Sequence, residues 1–209
     1  MGNGTRTIRE EIYAVLLFVG AIWAVFLVSR VWPGINAWGV LPWTMRGLVG
    51  IVTMPFLHAD LGHILGNTVP LIVLLILLAG SRAQSWEIVL CVILLGGALL
   101  WLLGRNGPDD NIVHIGASGL VFGLIAFLIV SGLLEGRLIP LLIALLVGFL
   151  YGGTLFWGMI PMSAGPSVSW DGHLFGAIAG GLVAWALTSG DEPKSVGPTV
   201  SGREPLPPA

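Results

Sequence analysis

Three short segments of this sequence combine polar side chains that could take part in chemistry with closely spaced glycines. They read GASG at 116–119, HILGN at 63–67 and DGHLFG at 171–176. Ser118, in the first segment, could act as a nucleophile only if a base accepted its proton, because an alcohol is inert at neutral pH. His173, in the third, is the usual type of acceptor, since its ordinary pKa is about 6.5. Ser118 and His173 are therefore a candidate nucleophile and base.

The middle segment could supply hydrogen-bond donors for a developing oxyanion, which acyl transfer also requires. His63 and Asn67 are four residues apart, so both side chains share one face of a helix. Together with the backbone N–H of Ser118 they would form an oxyanion hole, in which a single donor typically contributes roughly 3–4 kcal/mol.

Composition places these segments in a membrane protein. The 209 residues are 56% hydrophobic and 10% charged, with a formal net charge of -2, and the mean hydropathy is +0.94. This balance excludes an ordinary soluble domain, and without a basic stripe it argues against a nucleic-acid partner. The single cysteine, Cys91, lies inside an apolar segment, so no internal disulfide is possible.

Apolar segments of about 20 residues predict six membrane-spanning helices, because a hydrocarbon core about 30 Å thick needs a helix of that length. The predicted spans are 11–31, 63–80, 86–104, 115–133, 138–160 and 172–189. They form one core, 11–189, between an N-terminal segment, 1–10, and a Pro- and Gly-rich tail, 190–209, that is predicted to be disordered. The first external loop, about 32–62, is tryptophan-rich and its apolar pattern is broken, which predicts a membrane-associated segment.

Basic residues favour cytoplasmic termini. With the N-terminus inside, the cytoplasmic side holds six of them, namely Arg6, Arg9, Arg82, Arg137, Lys194 and Arg203, and the external side holds three, namely Arg30, Arg46 and Arg105. We therefore expect both termini in the cytoplasm. The location that we expect for this multi-pass protein is a bacterial plasma membrane.

The candidate chemical groups all lie near the start of even-numbered predicted spans. His63 lies in the first turn of the second span, Ser118 in that of the fourth and His173 in that of the sixth. Even-numbered spans enter the membrane from the same side, so these side chains share a shallow depth near one face. Polar groups inside a membrane are costly and by default indicate a functional site.

Glycine stripes predict how the fourth and sixth spans meet. Both carry glycines at helical spacing, which are Gly116, Gly119 and Gly123 in the fourth span and Gly172, Gly176 and Gly180 in the sixth. Small residues let helix backbones approach closely in lipid. Ser118 and His173 border these stripes, so packing the two helices together would bring the hydroxyl and the imidazole close to each other.

In these motifs the sequence resembles the rhomboid family of intramembrane serine proteases. GASG matches the family's Gly-x-Ser-Gly signature, HILGN its His-x-x-x-Asn element, and WDGHLFG its histidine-bearing last core helix. The resemblance covers roughly 11–189 and implies an all-α, six-transmembrane-helix rhomboid-like bundle. It implies a Ser118–His173 dyad, with His63, Asn67 and the Ser118 amide at the oxyanion.

The resemblance also implies supporting residues. His58 corresponds to an additional histidine of the family at the end of the first loop, and Phe122 occupies the place of an aromatic residue that stacks on the catalytic histidine. Two features depart from the family pattern. Phe122 lacks the hydroxyl of a tyrosine, and Trp43 and Arg46 are not adjacent, as a Trp-Arg pair in the first loop often is.

The implied activity is cleavage of transmembrane or juxtamembrane segments of single-span or other membrane proteins in the lipid bilayer, through an acyl-enzyme and without a metal or organic cofactor. A non-catalytic rhomboid-like protein that binds transmembrane helices is the alternative, although such relatives usually lack the serine or the histidine. A zinc protease would show His-Glu-x-x-His, which is absent from the sequence. The oligomeric state is left open.

Two further residues lie close to the motifs. His114, four residues before Ser118, could compete as the base, but we expect it in the loop before the helix, exposed and poorly fixed in direction. Its replacement is then expected to leave at least about a tenth of the turnover. Asp171 faces away from His173 and is expected to cap the sixth span.

Taken alone, Ser118 could be a packing residue and Asn67 could bond a neighbouring helix.

Overall fold

The computed structural model describes residues 7–105, 112–161 and 169–189, which form α-helices, two short 3-10 helices and one isolated β-bridge. The α-helices of these residues are α1 (Ile8–Val31), α2 (Met45–Thr53), α3 (Leu61–Ser81), α4 (Ser85–Leu103), α5 (Ser118–Leu134), α6 (Leu138–Gly158) and α7 (Trp170–Ser189). The 3-10 helices, Pro33–Trp38 and Met54–Phe56, lie in the segment between α1 and α3.

Each of the six predicted spans is a helix whose ends lie within three residues of the predicted ones. Five of them, α1, α3, α4, α6 and α7, are long and apolar enough to cross a membrane. The fourth, α5, is apolar but has 17 residues, a length of about 26 Å. The count of six crossings and the orientation therefore stay predictions. Helix α1 begins at Ile8, inside the predicted N-terminal segment, and the tail 190–209 lies outside the described residues.

Side-chain caps mark the starts of several helices, among them α1 and α3. Thr7 and Glu10 form a capping box at the start of α1, in which each side chain bonds the other's backbone N–H. At the start of α3, Asp60 accepts a hydrogen bond from the backbone N–H of His63 at 2.9 Å. This second cap fixes the turn that carries His63.

Helix α5 forms the centre of the molecule. It packs against α7, α6, α3 and α4, and most of its side chains are buried, including Leu124, Ile125 and Phe127. A helix that is apolar on every side requires such a position. The outer helices show the opposite pattern, since Leu17 on α1 and Phe149 on α6 are exposed, as expected for side chains that face lipid.

The segment between α1 and α3 is a folded scaffold. Helix α2 lies directly on the preceding chain, because a Cβ at Gly47 would clash with the carbonyl of Leu41 and one at Gly50 with the backbone of Gly39. Val40 then pairs with His114 through two backbone hydrogen bonds, Val40 N–H to His114 O at 3.0 Å and His114 N–H to Val40 O at 2.8 Å. The depth of this segment in a membrane stays a prediction.

Candidate active site

Ser118 is the first residue of α5. Hydrogen bonds to the segment between α1 and α3 fix the two residues that precede it. The backbone N–H of Gly116 donates to the carbonyl of Met54 at 3.0 Å, and that of Ala117 donates to Nε2 of His58 at 3.4 Å. The N–H of Ser118 is one of the first groups of a helix, which have no partner inside the helix. No hydrogen bond to this N–H is present among the described residues, so it can bind an anion at this helix start.

Gly116 brings this chain segment against the two predicted oxyanion donors. Its φ of +118° is one that residues with a Cβ rarely adopt. A Cβ there would also collide with the imidazole of His63 and would lie 3.8 Å from Nδ2 of Asn67. Glycine is thus required at this position for both its backbone conformation and its size.

A hydrogen bond within α3 orients the side chain of Asn67. Its Nδ2 donates to the backbone carbonyl of His63 at 3.1 Å, and the side chain is only 7% exposed. An amide nitrogen carries two hydrogens, so one remains for a ligand. His63 and Asn67 therefore lie beside Gly116 with donor capacity, although their part in catalysis stays a prediction.

The glycine stripes bring α5 and α7 into backbone contact, which confirms the packing predicted from the sequence. A Cβ at Gly176 would clash with the carbonyl oxygen of Gly119, and one at Gly180 would clash with that of Gly123. At the end of the same interface, a Cβ at Gly119 would lie 3.2 Å from the carbonyl oxygen of Gly172. Only helices without side chains at these positions can lie so close.

This contact places Ser118 and His173 at facing helix ends, because each is the next residue in the chain to one of the touching glycines, Gly119 and Gly172. Ser118 is partly exposed and His173 is 8% exposed. Within the described residues no hydrogen bond joins the Ser118 hydroxyl to the imidazole. Catalytic hydrogen bonds are often long in unliganded enzymes and shorten when the substrate binds.

Two contacts orient the imidazole of His173. Its Nδ1 lies 2.9 Å from the carbonyl oxygen of Gly158, and its ring stacks on Phe122 with the centroids 4.0 Å apart and the planes at 10°. A carbonyl can only accept, so we assign the proton to Nδ1. In this tautomer the unprotonated Nε2 makes no hydrogen bond with the described residues and can accept a proton. The stacking implied by the family resemblance is therefore present.

Gly158 is the site residue that the sequence analysis missed. It contributes its backbone carbonyl, and because every residue has one, the sequence gives no sign of this role. Its lack of a side chain is also required, because a Cβ there would collide with the ring of Phe122. The glycine at the end of α6 could have been noticed in the sequence, but its partner in space could not.

His58 is fully buried behind the site. Its ring meets that of His63 edge-on at 4.9 Å, and its Nε2 is the acceptor for the Ala117 N–H. Burial, and then the nearby His63, lower the pKa of His58 to about 4, against a smaller raising effect of the Phe56 carbonyl. His58 is therefore neutral at physiological pH, as an acceptor must be.

The expectation that His114 is exposed and poorly fixed is wrong. His114 lies before α5, as predicted, but it is 1% exposed. Its Nδ1 lies 2.7 Å from Oγ of Ser169 and its Nε2 lies 3.3 Å from the carbonyl oxygen of Arg105, while its backbone pairs with Val40. Both ring nitrogens are occupied, so His114 is not positioned to take the proton of Ser118.

The expectation that Asp171 caps the last helix is also wrong. The hydroxyl of Ser169 accepts the N–H of Gly172 at 3.2 Å and thus caps α7. Asp171 lies one residue inside the helix and accepts from Arg105 twice, from the backbone N–H at 3.0 Å and from Nη2 at 3.3 Å. The carboxylate anchors the end of α4 to the start of α7. No hydrogen bond joins it to the His173 ring among the described residues.

Across residues 7–105, 112–161 and 169–189, no group of three His, Cys, Asp or Glu is arranged to hold a metal ion.

The sequence of this chain is similar to that of a known family and of several bacterial proteins. A family model described as Rhomboid domain matches residues 45–190, a range that includes all the site residues described above. Uncharacterized proteins of Mycobacterium bovis and Mycobacterium tuberculosis are each 39% identical over 182 residues, which cover 84% of this chain and 74% of theirs. An uncharacterized protein of Mycobacterium leprae is 41% identical over 148 residues, which cover 68% of this chain and 57% of that protein.

Proposed function

This chain belongs to the rhomboid family, and from that premise we propose that it is an intramembrane serine endopeptidase. The observation that carries the proposal is the orientation of His173. Its Nδ1 bonds the Gly158 carbonyl and its ring stacks on Phe122, so Nε2 is left as a proton acceptor at the helix end that faces Ser118. A serine beside a fixed, neutral imidazole is the minimal nucleophile–base pair of acyl transfer.

In the first step, Ser118 Oγ attacks the carbonyl carbon of a substrate peptide bond while His173 Nε2 accepts the hydroxyl proton. The carbonyl oxygen becomes an oxyanion, which the Ser118 N–H and the side chains of His63 and Asn67 stabilise. The contact of Gly116 with His63 and Asn67 supports this assignment, because it keeps these donors close to the backbone of the nucleophile.

In the second step, the protonated His173 gives its proton to the leaving amine and an ester of Ser118 forms. Water, deprotonated by His173, then attacks this ester, and the second product leaves with a new carboxyl group while His173 returns the proton to Ser118 Oγ. The Nδ1–H bond to Gly158 offers a partner for the imidazolium that exists between these transfers.

The proposed substrates are transmembrane segments of single-span or other membrane proteins. A helix hides its carbonyls in hydrogen bonds, so a substrate must unwind locally before Ser118 can reach one. Segments with helix-weakening residues such as glycine or proline near the external interface are therefore favoured. We propose that the enzyme crosses the membrane six times with both termini in the cytoplasm, and that it acts without a cofactor.

The proposal is tested by incubating the purified protein in liposomes with a tagged single-span substrate that contains such a segment. Wild type is expected to release two fragments, and Ser118→Ala and His173→Ala are expected to release none while inserting and melting like wild type. A fluorophosphonate should label wild type, with the adduct mapped by peptide mass to Ser118. Substrate capture without cleavage or labelling would support the non-catalytic alternative. An adduct on Ser169, whose hydroxyl lies 2.7 Å from Nδ1 of His114, would overturn the assignment of the nucleophile.

A further inference from the structure

One hydrogen bond joins the chain segments that precede the two catalytic side chains. His114 is four residues before Ser118, and Ser169 is four residues before His173. Nδ1 of His114 lies 2.7 Å from Oγ of Ser169, the shorter of the two hydrogen bonds of this imidazole. The nucleophile and the base are thus each preceded, at the same distance along the chain, by one member of a bonded pair.

The protons of this pair can be assigned from its neighbours. The Arg105 carbonyl can only accept, so Nε2 of His114 carries the ring proton and donates it. The hydroxyl of Ser169 then donates to Nδ1 at 2.7 Å in preference to Asp171 Oδ1 at 3.2 Å. Burial lowers the pKa of His114, against the raising effect of Asp171, which agrees with a neutral ring at neutral pH.

Both ends of the bond are rigidly attached to the site. His114 is held through its backbone by Val40, and only Ile115 separates it from the Gly116 turn that enters α5. Ser169 caps α7, and its carbonyl accepts the backbone N–H of His173 at 3.1 Å. A displacement of either end therefore moves a catalytic residue.

The glycine interface leaves the axial register of the two helices underdetermined. Gly172, Gly176 and Gly180 repeat every four residues, as Gly119 and Gly123 do on α5. Such stripes carry no side chains that interlock, and their packing is not directional, so a slide of one helix past the other by four residues, about 6 Å, would again place glycine against glycine. A hydrogen bond at the end of the interface is directional and distinguishes these alignments.

We propose that the His114–Ser169 hydrogen bond fixes the axial register of α5 against α7, and we call this bond the register clamp. His114 and Ser169 are then positioning residues, which align Ser118 with His173. The inference rests on the proposed function, because it concerns the geometry of the same catalytic pair. It gives the buried histidine of the 112–117 segment a part in catalysis without contact with the substrate.

The test is the rate at which a fluorophosphonate labels Ser118, measured with kcat and KM on the single-span substrate well below the lowest apparent Tm of the variants. His114→Leu and Ser169→Ala are each expected to slow labelling and lower kcat by about tenfold or more, since small misplacements of reacting groups are costly, with little change in KM. The double variant should be no slower than the slower single one. Ser169→Thr and His114→Asn, which can restore the bond, should recover most of the rate.

The matched control is Ser29→Ala, which removes a buried serine whose hydroxyl bonds the carbonyl of Phe26 at 2.7 Å, on α1 and outside the site. It should lower the apparent Tm and leave the labelling rate unchanged. The clamp is overturned if both His114→Leu and Ser169→Ala lower only the Tm, or if their effects on labelling multiply. If His114→Leu does not fold, the comparison of Ser169→Ala with Ser169→Thr decides. A wild-type protein that is neither labelled nor active overturns the proposed function instead, whatever the variants do.

Discussion

The imidazole of His173 lies flat on the ring of Phe122, with the centroids 4.0 Å apart and the planes at 10°. The stack fixes the plane of the imidazole, and the bond from Nδ1 to the Gly158 carbonyl, at 2.9 Å, fixes its rotation within that plane. Orientation of a general base is usually assigned to a carboxylate partner. In this protein a backbone carbonyl and an aromatic face orient the imidazole of the proposed base, His173.

Replacement of Phe122 by leucine should therefore affect turnover more than binding. Leucine keeps the buried position apolar but offers no flat surface to the imidazole, so His173 retains only one of its two constraints. We expect kcat to fall by about tenfold, which is less than the roughly 10²–10⁴-fold that general base catalysis contributes as a whole, while KM changes little. Steady-state kinetics on one substrate measure both quantities. Equal kcat for the two proteins would show that the stack does not orient the base.

The close approach of α5 and α7 predicts opposite effects of two glycine replacements. Gly176→Ala introduces a Cβ that clashes with the Gly119 carbonyl, so it should lower the apparent Tm and, by separating the helices, abolish most activity. Gly148→Ala, on α6, places a Cβ in open space and should leave both unchanged or raise the Tm slightly, because alanine is favoured over glycine in helices by about 1 kcal/mol. Thermal unfolding in detergent compares them. Equal Tm values would contradict the packing.

The variant Asn67→Ala is expected to lower turnover without weakening the capture of substrate. The Asn67 amide acts mainly when charge develops on the substrate oxygen, so its loss should lower kcat by roughly one to three decades and leave substrate capture intact. Thr68→Ala is the control, because the neighbouring side chain faces α1 and accepts from Trp23 Nε1 at 3.2 Å instead. Capture is measured by pull-down with an uncleaved substrate. A parallel loss of capture and turnover would make Asn67 a structural residue.

The sequence predicted the helices well because their determinants are local. An apolar run such as 138–160 is sufficient to predict a helix, and the four-residue glycine repeat of α7 was sufficient to predict its closely packed face. The histidine and serine motifs named the polar groups that the structure brings to one end of the bundle. These features depend on composition and period, which are visible in a single chain.

The failures concern contacts between distant parts of the chain. Nothing near His114 in the sequence indicates that Val40 pairs with it or that Ser169 bonds its ring, so a loop position was taken to mean an exposed one. Asp171 was assigned as a cap because aspartate often is one, whereas Arg105 from α4 engages its carboxylate. In both cases a partner more than 50 residues away decides the role of a residue whose local pattern suggests another.

The buried His58 predicts a pH dependence of stability with a definite sign. Its pKa is about 4 in the folded protein and 6.5 in the absence of structure. As the pH falls below 6.5, His58 becomes protonated in the unfolded chain but stays neutral in the folded protein. The contribution of neutral His58 to the free energy of unfolding is therefore complete above pH 6.5 and is lost toward pH 4. The whole loss amounts to about 3 kcal/mol.

His58→Gln keeps an acceptor for the Ala117 N–H but does not titrate, so its apparent Tm should fall less than that of wild type between these pH values. A slope remains in the variant, because burial lowers the pKa of His114 as well. Ser29→Ala, which removes a buried hydrogen bond but no titrating group, should shift the profile without changing its slope. Parallel profiles for wild type and His58→Gln would mean that His58 is protonated as readily in the folded protein as in the unfolded chain, which its complete burial against His63 opposes.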